Sequence, residues 1–356
     1  MKVALLGPAN SIHLLKIAKG LMKNGFEIFL ISLPNHRCED EDVDVNIIYL
    51  KYSGYKGYYF NAFLLKKILK EKRINILNVH YASGYGTLGR LAKFQPYILS
   101  VWGSDVYEFP NRNIICKKII INNLKEANTI FSTSNCMAEE IKKYLKKEKN
   151  IIITPFGIDV NVFKNFNNIY TDEIVIGFLK GTNIIYGIDI FLKAFKQVVE
   201  WCKEKEIKIK TIICGNIEND NDLYRYINEL TLCNNVEVLG KIPHVKMPEI
   251  INRCDIVCVP SREESFGVVA IEALACEVPC ITSDAPGLKE IMYNESNMTD
   301  YVLPCREELF ANKIKELILD EKKRIELGKK GRKLVEEYYD FNHNILVFCN
   351  EFNKYK

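Results

Sequence analysis

The sequence predicts an α/β protein built from two doubly wound parallel-sheet domains that face each other across a cleft. Short apolar runs rich in β-branched residues alternate with helical patterns along nearly the whole chain. These runs are continuously apolar, which is typical of parallel strands covered by helices on both faces. At 356 residues the chain is also longer than one hydrophobic core usually serves.

The first series of strands and helices fills residues 1–165, which we interpret as the first domain. The run KVALLG precedes a predicted helix over residues 11–24, and a further helix is predicted near residues 61–71. The other strand-like runs of this half are EIFLIS, VNIIYL, INILNVH, YILSVW and TIFSTS. Ligands of such sheets bind beyond the carboxyl ends of the strands, so polar residues at those ends are candidates for the site.

The pattern restarts after an asparagine-rich connector at residues 161–173, which predicts a second domain over residues 166–340. Its strand-like runs are IVIGFLKG, IKTIICG, VEVLG, DIVCVP, PCITS and YVLP. Helices are predicted near residues 306–319 and 321–338. Residues 341–356 are predicted to form a last helix that packs back toward the first domain.

Composition favours a cytoplasmic protein without a metal centre. The twelve cysteines form no C-x-x-C pair, and the closest spacings, such as Cys254 with Cys258, lie in apolar stretches that suit small buried hydrophobic residues. Residues 1–165 hold 24 Lys+Arg and 14 Asp+Glu, a net charge of +10, and the remainder is net −6. The basic half predicts either attraction to an anionic surface or acceptor, or simply a solvated lysine-rich surface.

The run GYGTLG spells a G-x-G-x-x-G pattern with Gly84, Gly86 and Gly89, and Asp105 follows about twenty residues later. A dinucleotide fingerprint has this form. However, YAS separates the pattern from the preceding strand, and that strand is not the first of its domain. The match therefore gives only weak support for nicotinamide or flavin binding.

The run SVWGSDVY ends a predicted strand with Ser104 and Asp105. Their position at the carboxyl end of a strand predicts substrate contact. The alternative is a structural turn in which Asp105 caps the next helix.

The strongest functional signal is EESFGVVAIEALAC, which follows a buried strand and predicts a helix that begins near Gly267. The amides of Phe266, Gly267 and Val268 at this helix start would form an anion site. Glu264 and Glu272 could accept hydrogen bonds from the hydroxyls of a sugar and of a ribose. Either glutamate alone could be a solvated surface residue, but together they predict a sugar–phosphate–ribose ligand.

The stretch PSREESFGVVAIEALACEVPCITSDAPGLKEI resembles the signature of family 4 of the retaining, nucleotide-sugar-dependent glycosyltransferases, in which two glutamates separated by seven residues bracket the donor site. The likeness extends over most of the chain. GPANSIHLLKIAKGLMKNGFEI is similar to the first strand–loop–helix of that family, ITPFGIDVNVF to its interdomain stretch, and VEVLGKIPHVKMPEIINRCDIVCVPS to its nucleobase-binding run. WGSD resembles a subgroup associated with cell-surface polysaccharide assembly.

The resemblance implies two Rossmann-like domains in the GT-B architecture, the second of which holds the donor. Glu264 would hold donor sugar hydroxyls and act in catalysis, and Glu272 would bind the ribose. The other donor-binding residues that it implies are Ser265, Phe266, Gly267, Val268, Lys241, Ile242 and Gly7. The acceptor-side residues are Asn10, Ser11, Trp102, Ser104 and Asp105.

Two departures from the family pattern bear on activity. Where the family usually places an Arg and a Lys that neutralise the diphosphate, this chain has Phe178 and Tyr186. Lys180 is the nearest cation, and we expect it to take over that contact as a catalytic residue. Many members also carry His at the position of Trp102.

We therefore predict a cytoplasmic, retaining hexosyltransferase that uses a UDP- or GDP-linked sugar and no metal or cofactor. The acceptor is predicted to be a glycan or lipid-linked molecule of cell-surface polysaccharide synthesis, and nucleic acid is not a predicted partner. The basic half, together with KKYLKKEKN at residues 142–150, predicts peripheral contact with the anionic inner face of the cell membrane. The alternatives are a nucleotide-sugar epimerase or hydrolase, a dehydrogenase that uses the loop at residues 84–89, and an inactive nucleotide-binding partner subunit.

Overall fold

The computed structural model describes residues 1–38, 44–166, 172–217, 220–294 and 296–356. The chain divides into two compact units. Unit 1 comprises Met1–Phe156 and Asn342–Lys356, and unit 2 comprises Gly157–Phe341.

Unit 1 contains a parallel sheet of seven strands in the order β3-β2-β1-β4-β5-β6-β7. The strands are β1 (Lys2–Leu6), β2 (Glu27–Ser32), β3 (Asn46–Tyr49), β4 (Ile76–His80), β5 (Tyr97–Val101), β6 (Thr129–Ser132) and β7 (Asn150–Ile153). The helices between them are α1 (Ile12–Lys23), α2 (Gly54–Phe60), α3 (Ala62–Glu71), α4 (Gly84–Ala92), α5 (Ser104–Tyr107), α6 (Ile114–Glu126) and α7 (Asn135–Lys142). The central strands β4 and β5 are buried throughout, as their continuous apolar runs predict.

The helix predicted near residues 61–71 is in fact the second of a pair, because α2 precedes it. Asn61 separates the two helices. Its buried amide donates to the carbonyl oxygens of Tyr52 (2.8 Å) and Gly57 (3.0 Å), and its side-chain oxygen accepts from the Tyr52 amide (3.1 Å). This local hydrogen bonding competes with helix continuation, which explains the break.

Unit 2 contains a parallel sheet of six strands in the order β10-β9-β8-β11-β12-β13. The strands are β8 (Glu173–Phe178), β9 (Lys208–Cys214), β10 (Val236–Gly240), β11 (Ile256–Val259), β12 (Cys280–Ser283) and β13 (Val302–Leu303). The helices are α8 (Ile188–Glu204), α9 (Asp220–Glu229), α10 (Met247–Ile251), α11 (Val268–Ala275), α12 (Pro286–Tyr293), α13 (Glu307–Leu319) and α14 (Glu321–Leu334), followed by a π-helical turn over Val335–Tyr339. Both sheets start from a central strand, wind outward to one edge and then to the other, which confirms the doubly wound fold class.

The boundary between the units lies after Phe156, whereas the sequence placed it after residue 165. The segment belongs to unit 2 because Arg332 donates to the carbonyl oxygens of Val160 (2.8 Å) and Phe163 (2.6 Å). Ile158 also pairs with Asp340 in an isolated parallel bridge. Of the predicted connector at 161–173, residues 167–171 lie outside the described residues.

The last helix, α15 (Phe341–Asn353), belongs to unit 1 apart from its first residue. Phe348 and Phe352 pack against Phe131, with ring centroids 4.7 and 6.1 Å apart. Buried Glu351 accepts a hydrogen bond from the Thr129 hydroxyl (2.7 Å). The chain therefore leaves unit 1, completes unit 2 and returns to the sheet from which it started.

The closely spaced cysteines, which the sequence predicts to be buried, lie in the core of unit 2. Cys254, Cys258, Cys276 and Cys280 are buried in unit 2, which confirms that they are core residues. Burial raises the pKa of the Cys276 thiol to about 12, so this thiol stays protonated at neutral pH.

In the described part of the chain, no helix combines the length and apolarity that a membrane span needs.

Candidate functional site

The centre of the candidate site is the loop that joins β11 to α11 in unit 2. α11 begins at Val268, directly after Gly267, as the sequence predicts. Gly267 has φ +106°, and a Cβ atom at this position would lie 2.6 Å from Cδ2 of Leu288. Only glycine adopts such a backbone without strain, so the residue fixes the direction in which the loop enters the helix. The first amides of α11 lack intrahelical acceptors and give this helix end a positive potential.

Helix α12 supports the same loop from its other side. The Gly287 amide donates to the carbonyl oxygen of Glu264 (3.0 Å). A Cβ atom at Gly287 would lie 2.5 Å from the Phe266 nitrogen, so α12 contacts the loop at backbone distance. The Phe266 ring is buried and packs edge-on against Tyr339, with ring centroids 5.7 Å apart. The Phe266 side chain therefore anchors the loop to the core of unit 2.

Glu264 forms an ion pair with Lys180, which follows β8. Both side chains are largely buried, with 17% of Lys180 and 13% of Glu264 exposed. The Lys180 ammonium lies over the ring of Tyr186, 4.4 Å from its centroid. Burial lowers the pKa of Lys180 to about 7, whereas the adjacent carboxylate favours the charged form. The pair thus joins a titratable cation to a carboxylate on the loop that leads into a helix N-terminus.

The two departures from the family pattern have different surroundings. Phe178 is buried in the core of unit 2 and packs against Phe191, with centroids 5.1 Å apart. Tyr186 contacts Lys180 through its ring. Lys180 therefore lies beside one of the two positions at which the family usually has a cation.

An Arg–Asp pair that the sequence analysis missed braces the loops on either side of this ion pair. Arg262 donates from two nitrogens to both carboxylate oxygens of Asp189 (2.8 and 2.7 Å) and also to the Ile184 carbonyl oxygen (2.5 Å). Although burial disfavours a charged carboxylate, the hydrogen bonds from Arg262 lower the pKa of Asp189 below its usual value. Arg262 stands two residues before Glu264. This position beside the acidic loop is the sequence feature that could have marked Arg262 as a candidate site residue.

Glu272 lies on the second turn of α11, where its side chain is buried. Its Oε1 lies 2.6 Å from Nε2 of His244, which in turn packs against the ring of Phe163 at 5.3 Å. His244 is a second residue that the sequence analysis did not single out, although it stands three positions after Lys241. Lys241 is exposed and Ile242 is half-buried in the segment that follows β10.

In unit 1, Asp105 is part of the backbone scaffold of its loop. Its carboxylate accepts hydrogen bonds from the amides of Ala82 (2.6 Å), Gly103 (2.8 Å) and Trp102 (3.2 Å). Burial raises the pKa of this carboxyl against the opposing effect of the amide hydrogen bonds. These contacts are structural, as in the alternative reading of SVWGSDVY, but Asp105 does not cap the next helix, because it is the second residue of α5 and Gly103 is the N-cap. A contact of Asp105 with an acceptor stays a prediction.

The other predicted residues of unit 1 differ in accessibility. Trp102 is buried against His80 and Phe156, with ring centroids 5.2 and 5.3 Å apart. Ser11 caps α1 by accepting from the Leu14 amide (3.4 Å). Gly7 is buried at the end of β1, whereas Asn10 and Ser104 are exposed. Of these residues, Asn10 and Ser104 are the most open to a ligand.

The glycines of GYGTLG have a packing role in α4. A Cβ atom at Gly89 would lie 2.6 Å from Cγ2 of Val79, and one at Gly84 would lie 2.5 Å from the Tyr58 ring. The three glycines lie within the helix rather than in a turn before it. This arrangement lacks the phosphate-cradling turn of a dinucleotide site.

The fold is that of an α/β protein with two Rossmann-like units of the GT-B architecture, and in the second unit an acidic loop leads into a helix N-terminus. Comparison with known families agrees. The family model "Glycosyl transferases group 1" matches residues 159–334, and the model "Glycosyl transferase 4-like" matches residues 2–134. Together they span most of the chain, which belongs to the GT4-type glycosyltransferases.

Individual proteins show the same relationship. An uncharacterised glycosyltransferase of Methanocaldococcus jannaschii is 27% identical over 347 residues, covering 92% of this chain and 90% of its own. A capsular polysaccharide biosynthesis glycosyltransferase of Staphylococcus aureus is 30% identical over 229 residues, covering 62% of this chain and 54% of its own. Among solved structures, Anabaena HepE in complex with UDP and glucose superimposes with a TM-score of 0.80 at 18% identity, covering 99% of this chain and 100% of HepE.

Proposed function

We propose that this glycosyltransferase moves a hexosyl group from a UDP- or GDP-linked sugar to a hydroxyl group of a glycan or lipid-linked acceptor, with retention of the anomeric configuration. The observation that carries the proposal is the Lys180–Glu264 ion pair on the loop that enters α11. A sugar diphosphate needs a cation and amide donors for its phosphates and an acceptor for its hydroxyl groups. Lys180 after β8 and the loop between β11 and α11 together offer all three.

The diphosphate would bind by exchanging partners with Glu264. Its distal phosphate would accept hydrogen bonds from the backbone at residues 265–268 and favour the N-terminal end of the helix dipole. Lys180 would turn from Glu264 to the phosphate and become fully charged. Glu264 would then be available to accept hydrogen bonds from the donor sugar, so the ion pair of the free enzyme holds both groups in readiness.

The nucleoside would bind farther along the same helix. Glu272 would accept from the ribose hydroxyl groups, and His244 would hold the carboxylate in place at 2.6 Å. Lys241 and Ile242 would contact the edge of the base. A buried carboxylate that is already positioned loses little side-chain freedom when the ribose binds.

In the chemical step, the bond between the anomeric carbon and the diphosphate oxygen breaks, and the acceptor oxygen bonds to the same face of that carbon. The acceptor proton passes to the departing phosphate oxygen. Lys180 and the start of α11 stabilise the negative charge that develops on that phosphate. We propose that this electrostatic stabilisation takes the place of a metal ion, and activity should persist in the presence of EDTA.

The acceptor is proposed to bind to unit 1, where Asn10 and Ser104 are exposed. A role in cell-surface polysaccharide synthesis is supported by the name of the S. aureus relative. The cytoplasm is the proposed location, because nucleotide sugars of this class are intracellular substrates.

The proposal is tested by thermal shift with UDP, GDP, ADP and NAD, because a ligand that binds the native state raises its stability by mass action. We expect UDP or GDP to shift the melting temperature and NAD to have no effect. The donor sugar is then found by transfer assays, and NMR of the product reports its anomeric configuration. An inverted product would overturn the retaining mechanism, and a shift with NAD alone would favour a dehydrogenase.

The remaining alternatives give distinct results in the same assays. An epimerase or hydrolase would convert the donor in the absence of any acceptor. An inactive partner subunit would bind the nucleotide and convert no donor, even with membrane extracts as a source of acceptors.

A further inference from the structure

Unit 1 exposes a group of large apolar side chains on three helices, the consecutive α2 and α3 and the later α6. This group, which we call the aromatic rim, consists of Tyr55, Tyr59, Phe60, Phe63, Ile114 and Ile115. Tyr55 is 79% exposed, Phe63 81% and Ile114 71%, although side chains of this kind are normally buried. A cluster of exposed apolar residues of this size marks an interaction surface.

A cavity of about 590 Å³ is lined by residues of α2 and of the start of α6, so these two helices of the rim adjoin in space. Tyr55 and Tyr59 of α2 line one part of it, and Asn113 and Cys116 at the start of α6 line another. Ser104, with its exposed side chain, also lines the cavity. The cavity lining therefore combines aromatic, polar and charged side chains, among them Asp105 and Arg112.

The segments that carry the rim are rich in lysine, although exposed Glu108 also lines the adjoining cavity. Residues 45–70 contain five lysines and no Asp or Glu, and residues 109–125 contain three lysines, one arginine and likewise no acidic residue. Lys56, Lys66 and Lys117 are exposed and have no ion-pair partner among the described residues. Lys67, which also lies near the rim, differs from these lysines because it pairs with Glu71 (3.7 Å).

The lysine-rich segment at residues 142–150, which the sequence singled out, offers less free charge. Lys142 pairs with Glu139 and Lys143 pairs with Glu140, each at 2.6 Å. This segment also lacks a neighbouring group of exposed aromatic side chains comparable to the rim among the described residues.

We propose that the aromatic rim docks on the interface of an anionic lipid bilayer. Aromatic side chains enter the boundary between headgroups and acyl chains, while lysines around them attract acidic headgroups. A second copy of this chain is a poor alternative occupant, because a symmetric contact would bring the same lysines together. The inference deepens the proposed function: docked in this way, the cavity would open toward the headgroup layer, where a lipid-linked acceptor would present its polar end.

The proposal is tested by sedimenting the full chain with phosphatidylcholine vesicles that either contain or lack phosphatidylglycerol. We expect binding to the anionic vesicles only, and a several-fold loss of binding when salt is raised. Phe63→Asp and Tyr55→Asp should each lower the bound fraction by about tenfold, because they place a charge where an apolar group enters the interface. Leu319→Asp on unit 2, where Leu319 is 66% exposed, is the matched control and should bind as the wild type does.

Insertion is measured separately with Phe63→Trp, whose fluorescence should shift to the blue and be quenched by brominated lipid. Failure of the wild-type chain to bind anionic vesicles would overturn the inference, as would equal binding by the rim variants and the control. A dimer that Phe63→Asp abolishes, without vesicle binding, would also overturn it in favour of self-association. Because these measurements need no donor, they distinguish failure of docking from failure of the proposed transfer, which nucleotide binding reports.

Discussion

Asp105 of unit 1 and Glu264 of unit 2 are both carboxylates on segments that follow a parallel strand, Asp105 in the first turn of α5 and Glu264 on the loop before α11. Three backbone amides donate to Asp105 at 2.6–3.2 Å, and its side chain is almost fully buried. Glu264 is paired instead with Lys180, a side chain that can move, and 13% of the Glu264 side chain remains exposed. Asp105 is therefore held by the backbone of its own fold, whereas Glu264 has a side-chain partner that we expect a ligand to replace.

We therefore expect the type of partner, rather than the position at the end of a strand, to separate structural from functional carboxylates. Backbone amides cannot leave without local unfolding, so a carboxylate that they satisfy is part of the scaffold. The Lys180 ammonium, whose pKa burial lowers to about 7, can change both its partner and its charge when an anion binds. Substitutions of Glu264, Lys180 and Asp105 distinguish the two cases.

Glu264→Gln should reduce turnover by about a hundredfold while leaving the melting temperature close to that of the wild type. The amide keeps the shape of the side chain but removes the charge, which we expect to act on the sugar as positive charge develops at the anomeric carbon. Steady-state kinetics with the identified donor measures the effect, and circular dichroism checks the fold. Full turnover in this variant would make the loop glutamate a bystander.

Lys180→Ala should weaken binding of the nucleoside diphosphate by roughly ten- to a hundredfold, since a charge-assisted contact is worth about 1.5–3 kcal/mol. Binding of the bare nucleoside should hardly change, because it has no phosphate for Lys180 to contact. Calorimetric titration with both ligands makes the comparison, and Lys180→Arg should restore part of the loss. Equal losses for both ligands would indicate damage to the fold rather than a lost phosphate contact.

Asp105→Asn should lower the free energy of unfolding by about 1–3 kcal/mol, because an amide offers one acceptor oxygen where the carboxylate uses two. Nucleotide binding should be unchanged, since Asp105 belongs to unit 1. Chemical denaturation measures the stability, and Ser104→Ala is the neighbouring control because the Ser104 side chain is exposed. A variant of unchanged stability that no longer uses its acceptor would restore Asp105 to the substrate site.

Much of this organisation could be predicted from the sequence because it depends on local patterns. Continuous apolar runs indicate parallel strands, and the glycine before VVAIEALA marks the start of α11. The contact between Lys180 and Glu264 joins residues 84 positions apart, and no periodicity encodes such a pair. The same holds for Arg262 with Asp189 and for His244 with Glu272, which depend on how loops and helix starts that follow different strands meet at the carboxyl ends of the sheet.

Asp105 was ambiguous in the sequence for a related reason. An aspartate at the end of a strand suits either a turn or a contact with a ligand. Only the positions of the surrounding amides distinguish the two roles. The boundary between the units was misplaced because Arg332, far along the chain, holds residues 160 and 163 in unit 2.

Nucleoside diphosphate affinity should fall as pH rises above about 7, because burial holds the pKa of Lys180 near that value in the free protein. A bound diphosphate favours the ammonium form and raises this pKa. The attraction is therefore complete below pH 7 and is lost above it, by up to about tenfold per pH unit until the pKa of the complex is reached. Titrations at several pH values measure it. Lys180→Ala should lack this dependence, and an equal slope in that variant would assign the titration to another group.

Glu272→Gln should have the smallest effect, a rise of roughly fivefold in the donor Michaelis constant with turnover nearly unchanged. Glu272 is buried beside His244 on α11 and is expected to hold the ribose alike in the ground and transition states. Uniform binding of this kind changes the Michaelis constant, whereas an interaction gained only in the transition state changes turnover. His244→Ala should raise the Michaelis constant in the same way, since His244 acts by positioning the carboxylate, and the double variant should add little to either single change. If Glu272→Gln instead lowers turnover as much as Glu264→Gln does, the two glutamates act on the same step, and the division of roles along the helix is wrong.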